Sequence, residues 1–370
     1  MKNYLRNSQI RLSCLSWRLL AKTGALKSKG APVQFIVENA DWAIRWVGEH
    51  IRDEIKLISP GKVDISSDPS RISRRVVHFG SQYMWLKWGN HMSRSNQFIT
   101  SFFHGKPEDG PDVERHIDEF LKSVPSLTKV VTGAGIIENR LLRWGVPREK
   151  LIRIPIGVDT NLFKPSEEKA RSNIRRDYNI PESTILIGSF QKDGMGWGDG
   201  MEPKMIKGPD LFISSLKLLS SKGFPVMAFL TGPARGYVKE GLKANGIPYI
   251  HKYAPKHVDL VPLYHALDLY FVTSREEGGP MGLMESMASG IPVVSTQVGM
   301  SVDLIDDLIT GGIAKESLAN DIANKAEEIL KMSSNERNEL IEKARKKVLL
   351  FDWSIVAKRH WTEVYKPLIN

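Results

Sequence analysis

From residue 32 onward, short apolar runs alternate with stretches whose apolar residues recur at helical spacing. That alternation predicts an α/β protein built on parallel sheets. Val33–Val37 predicts a first strand. Asp41–Ile55 predicts a helix, with Ile44, Val47, Ile51 and Ile55 along one face and Asp41 as its N-cap. Lys62–Ile65, Val76–Phe79, Gln97–Phe103, Leu127–Thr132 and Ile152–Pro155 predict the remaining strands of a first unit. Pro165–Pro181 is charged and bounded by prolines, and it predicts a linker. A second unit follows, with strands at Thr184–Phe190, Val226–Thr231, Tyr249–Ile250, Leu267–Thr273 and Pro292–Ser295. Its helices are Asp210–Leu219, Tyr237–Ala244, Val258–Ala266 and Gly282–Ser289, then Leu318–Met332 and Ser334–Leu349. The expected organisation is a leader over 1–30, a first domain over 31–165, a linker over 166–181 and a second domain over 182–352. The segment 353–370 is expected to pack back on the first domain. Two doubly wound domains facing each other across a cleft place ligands beyond the carboxyl ends of the strands.

A chain of 370 residues suits two such domains. No apolar run reaches the roughly 18 residues of a membrane-spanning helix. The single cysteine, Cys14, excludes an intrachain disulfide and a multi-cysteine zinc site, and it fits a reducing cytoplasm. The net charge of +10 points towards nucleic acid until its distribution is examined. Lys2, Arg6, Arg11, Arg18, Lys22, Lys27 and Lys29 all fall within residues 1–30, which hold no acidic side chain; without them the remaining 340 residues carry only +3. With no nucleic-acid motif besides, no nucleic-acid partner is expected. Three readings fit the leader. It is a solvated tail, a basic segment lying on the cytoplasmic membrane face through Leu12, Leu15, Trp17, Leu19 and Leu20, or an organelle-targeting peptide.

The chemistry concentrates in Ser274–Val294. An apolar strand ends, and Glu277, Gly278, Gly279 and Pro280 lead into a helix beginning near Met281, Gly282 and Leu283. The glycines predict unusual backbone conformations and close approach to a ligand. The helix head, with its free N–H groups and dipole, suits a diphosphate. Glu277 lies in the loop and Glu285 one turn into the helix, with seven residues between them. Carboxylates accept hydrogen bonds from sugar and ribose hydroxyls, so the combination describes a nucleotide-sugar.

The pattern of Glu277, Glu285 and Gly290-Ile291-Pro292-Val293-Val294 resembles the donor signature of retaining GT-B glycosyltransferases, family 4, also called glycosyltransferase group 1. Arg153–Asp159 with Phe163 and Pro165, Ile206–Asp210, and Leu263–Asp268 are similar to further segments of that family. The resemblance implies a GT-B fold of two Rossmann-like domains and transfer of a hexosyl group from a UDP- or GDP-sugar with retention. The nucleotide-sugar is a substrate, and no cofactor is expected. Glu277 would orient the sugar, Lys207 would hold the leaving diphosphate, and His104 would lie close to the donor sugar. Glu285 would take the ribose, with Gly278, Gly279, Met281, Gly282 and Leu283 lining the donor site. The expected acceptor is a glycan or a lipid-linked glycan on the cytoplasmic membrane face.

Two departures from the family pattern stand out. Ser189 occupies the place of an arginine that usually follows the strand glycine, which leaves Lys192 or Lys204 to supply the second cation. The first turn, Val37–Trp42, has no glycine. Glu38, Asn39 and Asp41 are candidates for binding a polyhydroxyl acceptor there, together with His78. No Asp-x-Asp motif stands at a suitable strand end, so a metal-independent reaction is expected. The competing readings are a sugar phosphorylase, a nucleotide-sugar epimerase, or a noncatalytic sugar- or nucleotide-binding protein.

Overall fold

The computed structural model describes Ser28, residues 30–39 and residues 43–369, together with Leu12, Cys14, Leu15, Trp17, Leu19 and Leu20. The leader's basic residues and Asp41 lie outside the described residues, apart from the apolar positions just named. Two compact units are present: residues 1–157 with 353–370, and residues 158–352.

The first unit holds a six-stranded sheet of β1 (Val33–Ile36), β2 (Val63–Ser66), β3 (Val76–Phe79), β4 (Gln97–Ser101), β5 (Lys129–Thr132) and β6 (Leu151–Arg153). The spatial order is β2-β1-β3-β4-β5-β6, and every pairing is parallel. Val33, Phe35, Val76, Ile99 and Val131 pack against Val47, Ile51 and Ile55 of helix Ala43–Ile58. Burial on both faces explains why these strands read as apolar runs rather than as alternating patterns. Helices Gln82–Trp88, Pro111–Ser123 and Gly135–Arg143 complete the connections.

Trp353, Val356, Ala357, Trp361, Val364 and Tyr365 enter the same core. A Cβ on Gly157 would collide with the Trp353 ring, so only glycine admits that indole. The chain then passes through a π-helical turn, His360–Tyr365. This turn brings the Tyr365 hydroxyl to His78 Nδ1 at 2.6 Å, while His78 Nε2 meets Ser101 Oγ at 2.9 Å. His78 is fully buried, which removes it from the candidates for an acceptor surface. Burial, and then the neighbouring His360, push the His78 pKa well below its ordinary value. Burial, and then Arg359, push His360 down to about 3.

The second unit holds β7 (Ile185–Phe190), β8 (Val226–Thr231), β9 (Tyr249–His251), β10 (Leu269–Val272), β11 (Val293–Thr296) and β12 (Gly312–Ala314). The order is β12-β11-β10-β7-β8-β9, again all parallel. Helices Pro209–Ser221 and Ala319–Leu330 supply much of its core through Phe212, Leu216, Ile322 and Ala326. Ser333 and Glu336 form a reciprocal cap at the head of Ser334–Val348.

The stretch expected as a linker contains helix Glu168–Asp177, which belongs to the second unit. Two of its arginines are paired rather than solvated. Arg171 Nη2 binds Asp268 Oδ1 at 2.7 Å, and Arg175 Nη1 binds Asp268 Oδ2 at 3.1 Å. Arg175 also donates to the carbonyls of Ala266, Pro181 and Thr184.

The neutral histidines make stability depend on pH. Their folded pKa values are lowered, so their contribution is complete above the unfolded value near 6.5 and is lost as pH falls below it. Each histidine adds about 1.4 kcal/mol per pH unit to that acid limb. Urea unfolding from pH 8 to pH 5 should show this fall, and His360→Leu should make it shallower by about one histidine's share. Tyr365→Phe should cost about 1–3 kcal/mol at pH 8 by leaving a buried nitrogen unpartnered. An unchanged urea midpoint in Tyr365→Phe would contradict the role given to that hydroxyl.

Candidate functional site

The second sheet reverses its order between β7 and β10, and loops after both strands converge at that switch point. The β7 loop runs from Gln191 to Gly208, and the β10 loop from Thr273 to Pro280. Several bonds join them. Arg275 N donates to Ile206 O at 2.8 Å, and Thr273 Oγ1 reaches Lys207 O at 3.4 Å. The Arg275 guanidinium grips Asp210 with both terminal nitrogens, at 2.8 and 2.6 Å, and also donates to Met205 O. Gly208 is left-handed, with φ +63°, and a Cβ there would strike the Thr273 carbonyl.

These restraints place Lys207 Nζ against Glu277 Oε1 in a direct ion pair. Ser274 Oγ donates to the same Glu277 oxygen at 3.2 Å. Helix Met281–Ala288 starts just beyond, after Pro280, and no side chain caps its first turn. None of Gly278, Gly279 and Gly282 takes a positive φ, contrary to the conformational role expected of them. Gly282 is required for packing instead, because a Cβ would collide with the Tyr270 ring and hydroxyl. The left-handed glycine supporting this loop is Gly299, at φ +45°, packed beneath the Glu277 and Gly278 carbonyls. Nothing in the local sequence pattern marks it. Leu283 is buried and turned into the core rather than towards a ligand.

Glu285 is 3% exposed, and both of its oxygens are engaged within the protein. His257 Nε2 meets Oε1 at 2.7 Å, and the Tyr264 hydroxyl donates to Oε2 at 2.7 Å. Phe163 packs edge-on against both the His257 and Tyr264 rings. Burial disfavours charge on His257. The Glu285 hydrogen bond, the Glu285 charge and the Asp159 charge outweigh it and raise the imidazole pKa. Tyr264 is pushed well above its ordinary range by burial and then by Glu285. Sequence pattern singled out neither His257 nor Tyr264 as partners of Glu285. The only available signal was their position before the donor strand.

Ser189 is buried and its hydroxyl accepts from Arg235 Nη2 at 3.1 Å. Arg235 is 1% exposed and was not singled out by sequence. Its Nη1 donates to the carbonyls of Ser189, Gln191 and Thr231, and its Nε lies 2.9 Å from Asp193 Oδ1. Burial raises the Asp193 pKa although Arg235 opposes the shift. A serine at 189 thus leaves room for an arginine from another loop, which serves the strand end rather than a ligand. Lys192 is half-buried, with Nζ 4.0 Å from the centre of the Trp197 ring. Lys204 has a lowered pKa, through burial first and then the charges of Lys192 and Lys207.

In the first unit, the carboxyl ends of β1 and β3 form the corresponding switch point. Glu38 is half-buried, and its carbonyl accepts from Arg45 at 3.2 Å. Asn39 is exposed. Gly80, at the end of β3, donates to Ile36 O at 2.9 Å where a Cβ would collide with Ile44. Glycine at this position serves packing against helix Ala43–Ile58. His104 is half-buried, and its carbonyl accepts from Gln82 Nε2 at 3.1 Å.

Residues 202–347 match the family model described as glycosyl transferases group 1. The lipopolysaccharide core biosynthesis mannosyltransferase LpsB of Rhizobium meliloti is 28% identical over 169 residues, 44% of each chain. A D-inositol 3-phosphate glycosyltransferase of Corynebacterium aurimucosum is 25% identical over 243 residues, covering 61% of this chain and 54% of that one. The chain thus spans about half the length of these two curated relatives. Among solved structures, Anabaena HepE in complex with UDP superposes with a TM-score of 0.72 at 15% identity, covering 92% of this chain and all of that one. A sucrose-phosphate synthase from Thermosynechococcus elongatus gives 0.70 at 17% identity, covering 91% and 99%. At such identities these two likenesses speak for the fold alone. Together, the two parallel sheets and the superpositions identify a GT-B fold, and residues 202–347 of its second unit are similar to the glycosyl transferases group 1.

Proposed function

We propose that this chain is a glycosyltransferase that moves a hexosyl group from a nucleotide-sugar to an acceptor hydroxyl, and that the second unit binds the donor. The observation that carries this reading is the Lys207–Glu277 pair beside the uncapped head of Met281–Ala288, with the buried Glu285 one turn along that helix. A helix head and a lysine suit a diphosphate, while Glu277 suits the hydroxyls of a sugar. The HepE structures hold UDP and UDP-glucose, which favours a uridine nucleotide as the first donor to test.

On this reading the acceptor oxygen forms a bond to the anomeric carbon as the bond from that carbon to the diphosphate breaks. The bonding pair leaves with the nucleoside diphosphate, and the acceptor proton passes to its phosphate oxygen. The reaction retains configuration and uses no metal. Lys207 and the helix amides oppose charge gathering on the leaving phosphate. The ribose takes its place on Glu285 by displacing His257, the more exposed of the two groups that hold the carboxylate. Glu38, Asn39 and His104 of the first unit contribute to acceptor and sugar binding, and the acceptor is a glycan, free or lipid-linked. The enzyme acts in the cytoplasm, with residues 1–30 touching the membrane face.

Thermal stabilisation by UDP, GDP and ADP tests the donor assignment directly. A nucleotide present at a hundred times its Kd should stabilise the protein by about 2.7 kcal/mol, and Glu285→Ala should abolish that gain. No response to any nucleotide would sink the reading. Lys207→Ala should lower turnover by about 10²–10³-fold, as loss of a fixed charge at a leaving group does.

Nucleotide affinity should also depend on pH through His257. Below its raised pKa the imidazolium holds Glu285 against the ribose. As pH rises through that value the charge is lost and the carboxylate is released. UDP affinity should therefore increase as pH rises past the ordinary histidine value near 6.5 in the wild type and change less in His257→Phe. Parallel pH profiles for the two proteins would remove His257 from the site.

A further inference from the structure

Two aromatic rings from different helices meet at the surface of the first unit. Tyr83 is the second residue of Gln82–Trp88, and His116 lies in the second turn of Pro111–Ser123. Their ring centres are 4.0 Å apart and their planes differ by 18°, which is a close stack. Tyr83 is nonetheless 47% accessible. Among the described residues no second ring stacks on it, so the face turned away from His116 is left to solvent. His116 holds the phenol in one orientation, and a ligand that lies on it meets a preformed surface.

The start of this helix is tied to the loop between β4 and Pro111–Ser123. Gln82, next to Tyr83, donates from Nε2 to the His104 carbonyl at 3.1 Å. Arg140 Nη1 donates to the following carbonyl, that of Gly105, at 3.0 Å. The loop then makes a short turn, Pro107–Asp109, in which Asp109 Oδ2 accepts from Lys106 N at 3.0 Å. Lys106 Nζ stands 3.9 Å from Asp109 Oδ1, at the limit of an ion pair. Asp109 is near enough to Tyr83 that its charge, after burial, raises the phenol pKa. An open aromatic face, a carboxylate and an ammonium thus share one patch.

Charge decides what fits this patch. Burial lowers the His116 pKa, with Glu119 opposing, so the imidazole is neutral at neutral pH. Lys106 and Asp109 offset one another. A phosphate or carboxylate group therefore finds no net attraction here. A pyranose suits it better. One face of the sugar ring turns C–H bonds to the electron-rich face of a phenol, and the hydroxyls at its edge donate to a carboxylate and accept from an ammonium.

We propose that Tyr83, braced by His116, is a platform for one pyranose ring of a glycan, with Asp109 and Lys106 holding hydroxyls at the edge of that ring. The platform rests on the glycosyltransferase reading above for its place in the reaction. It receives a sugar of the acceptor glycan beside His104, whose carbonyl is bonded to the start of the same helix. No bond is made or broken on it; it binds and orients.

Saturation-transfer NMR tests this on the full chain, with the methyl β-glycosides of glucose, galactose and N-acetylglucosamine and with methyl α-mannoside as probes. Wild type is compared with Tyr83→Ala, Tyr83→Phe and His116→Ala. At least one glycoside should bind the wild type, and Tyr83→Ala should weaken it about five- to tenfold. Tyr83→Phe keeps the ring face and should retain most of the binding. His116→Ala removes only the brace and should weaken binding less than Tyr83→Ala does. The urea midpoint of Tyr83→Ala should stay near that of the wild type, because the side chain is about half exposed, so lost binding is not lost fold. Glycoside binding that is absent from the wild type, or unchanged in Tyr83→Ala, overturns the platform, and stabilisation of the same protein by UDP then leaves the donor reading standing. Glycoside binding that needs Tyr83, in a protein that no nucleotide stabilises, overturns the glycosyltransferase reading and leaves the platform. Binding of neither glycoside nor nucleotide overturns both.

Discussion

The ion pair of Lys207 and Glu277 joins the two loops that meet where the second sheet reverses its order. Much of the surrounding architecture keeps those two residues in place. Gly208 turns left-handed so that Lys207 can follow a tight turn beneath Thr273. Arg275 clamps Asp210 and the Met205 carbonyl, and Gly299 packs under the Glu277 carbonyl. Each of these contacts is a backbone restraint supplied by a residue with no direct claim on a ligand. A site held in this way meets a ligand with its charges already oriented, and little conformational entropy is left to lose on binding.

The carboxylates of the same neighbourhood are each met by a partner within the protein. Glu277 is met by Lys207, Asp193 by Arg235, Asp210 by Arg275, and Glu285 by His257 and Tyr264. Buried carboxylates without partners would be expensive, so the protein supplies partners of its own that a ligand must replace. Glu285 shows what this means for reading a site. Its position in the sequence marks it as available, while its geometry shows it occupied.

The fold was legible because parallel strands buried on both faces leave continuous apolar runs, as at Val76–Phe79 and Val226–Thr231. β12 is not legible because Gly312–Ala314 offers one large apolar side chain, Ile313, between a glycine and an alanine. The stretch 166–181 was misread because composition cannot distinguish a solvated arginine from one paired with Asp268, a residue about a hundred positions away. His78 was misread for a related reason. Its partner Tyr365 lies 287 residues along the chain, and only the folded unit joins them. The glutamate pair and Lys207 were legible because their motif is local. Arg235, His257, Tyr264 and Gly299 were not, because each acts on the site from a different loop or strand connection.

The return of residues 353–370 to the first unit has a consequence for the order of assembly. On the ribosome, residues 1–157 emerge long before Trp353 and Tyr365 exist. The pocket beside Gly157 and the nitrogen of His78 therefore wait for the last part of the chain. The second unit, continuous from Val158 to Asp352, has no such dependence and can complete its sheet first. Synthesis runs from the N-terminus, but the N-terminal sheet is the one that matures last. Until then it presents an unfinished apolar face, and the interval is set by the time needed to translate the intervening unit.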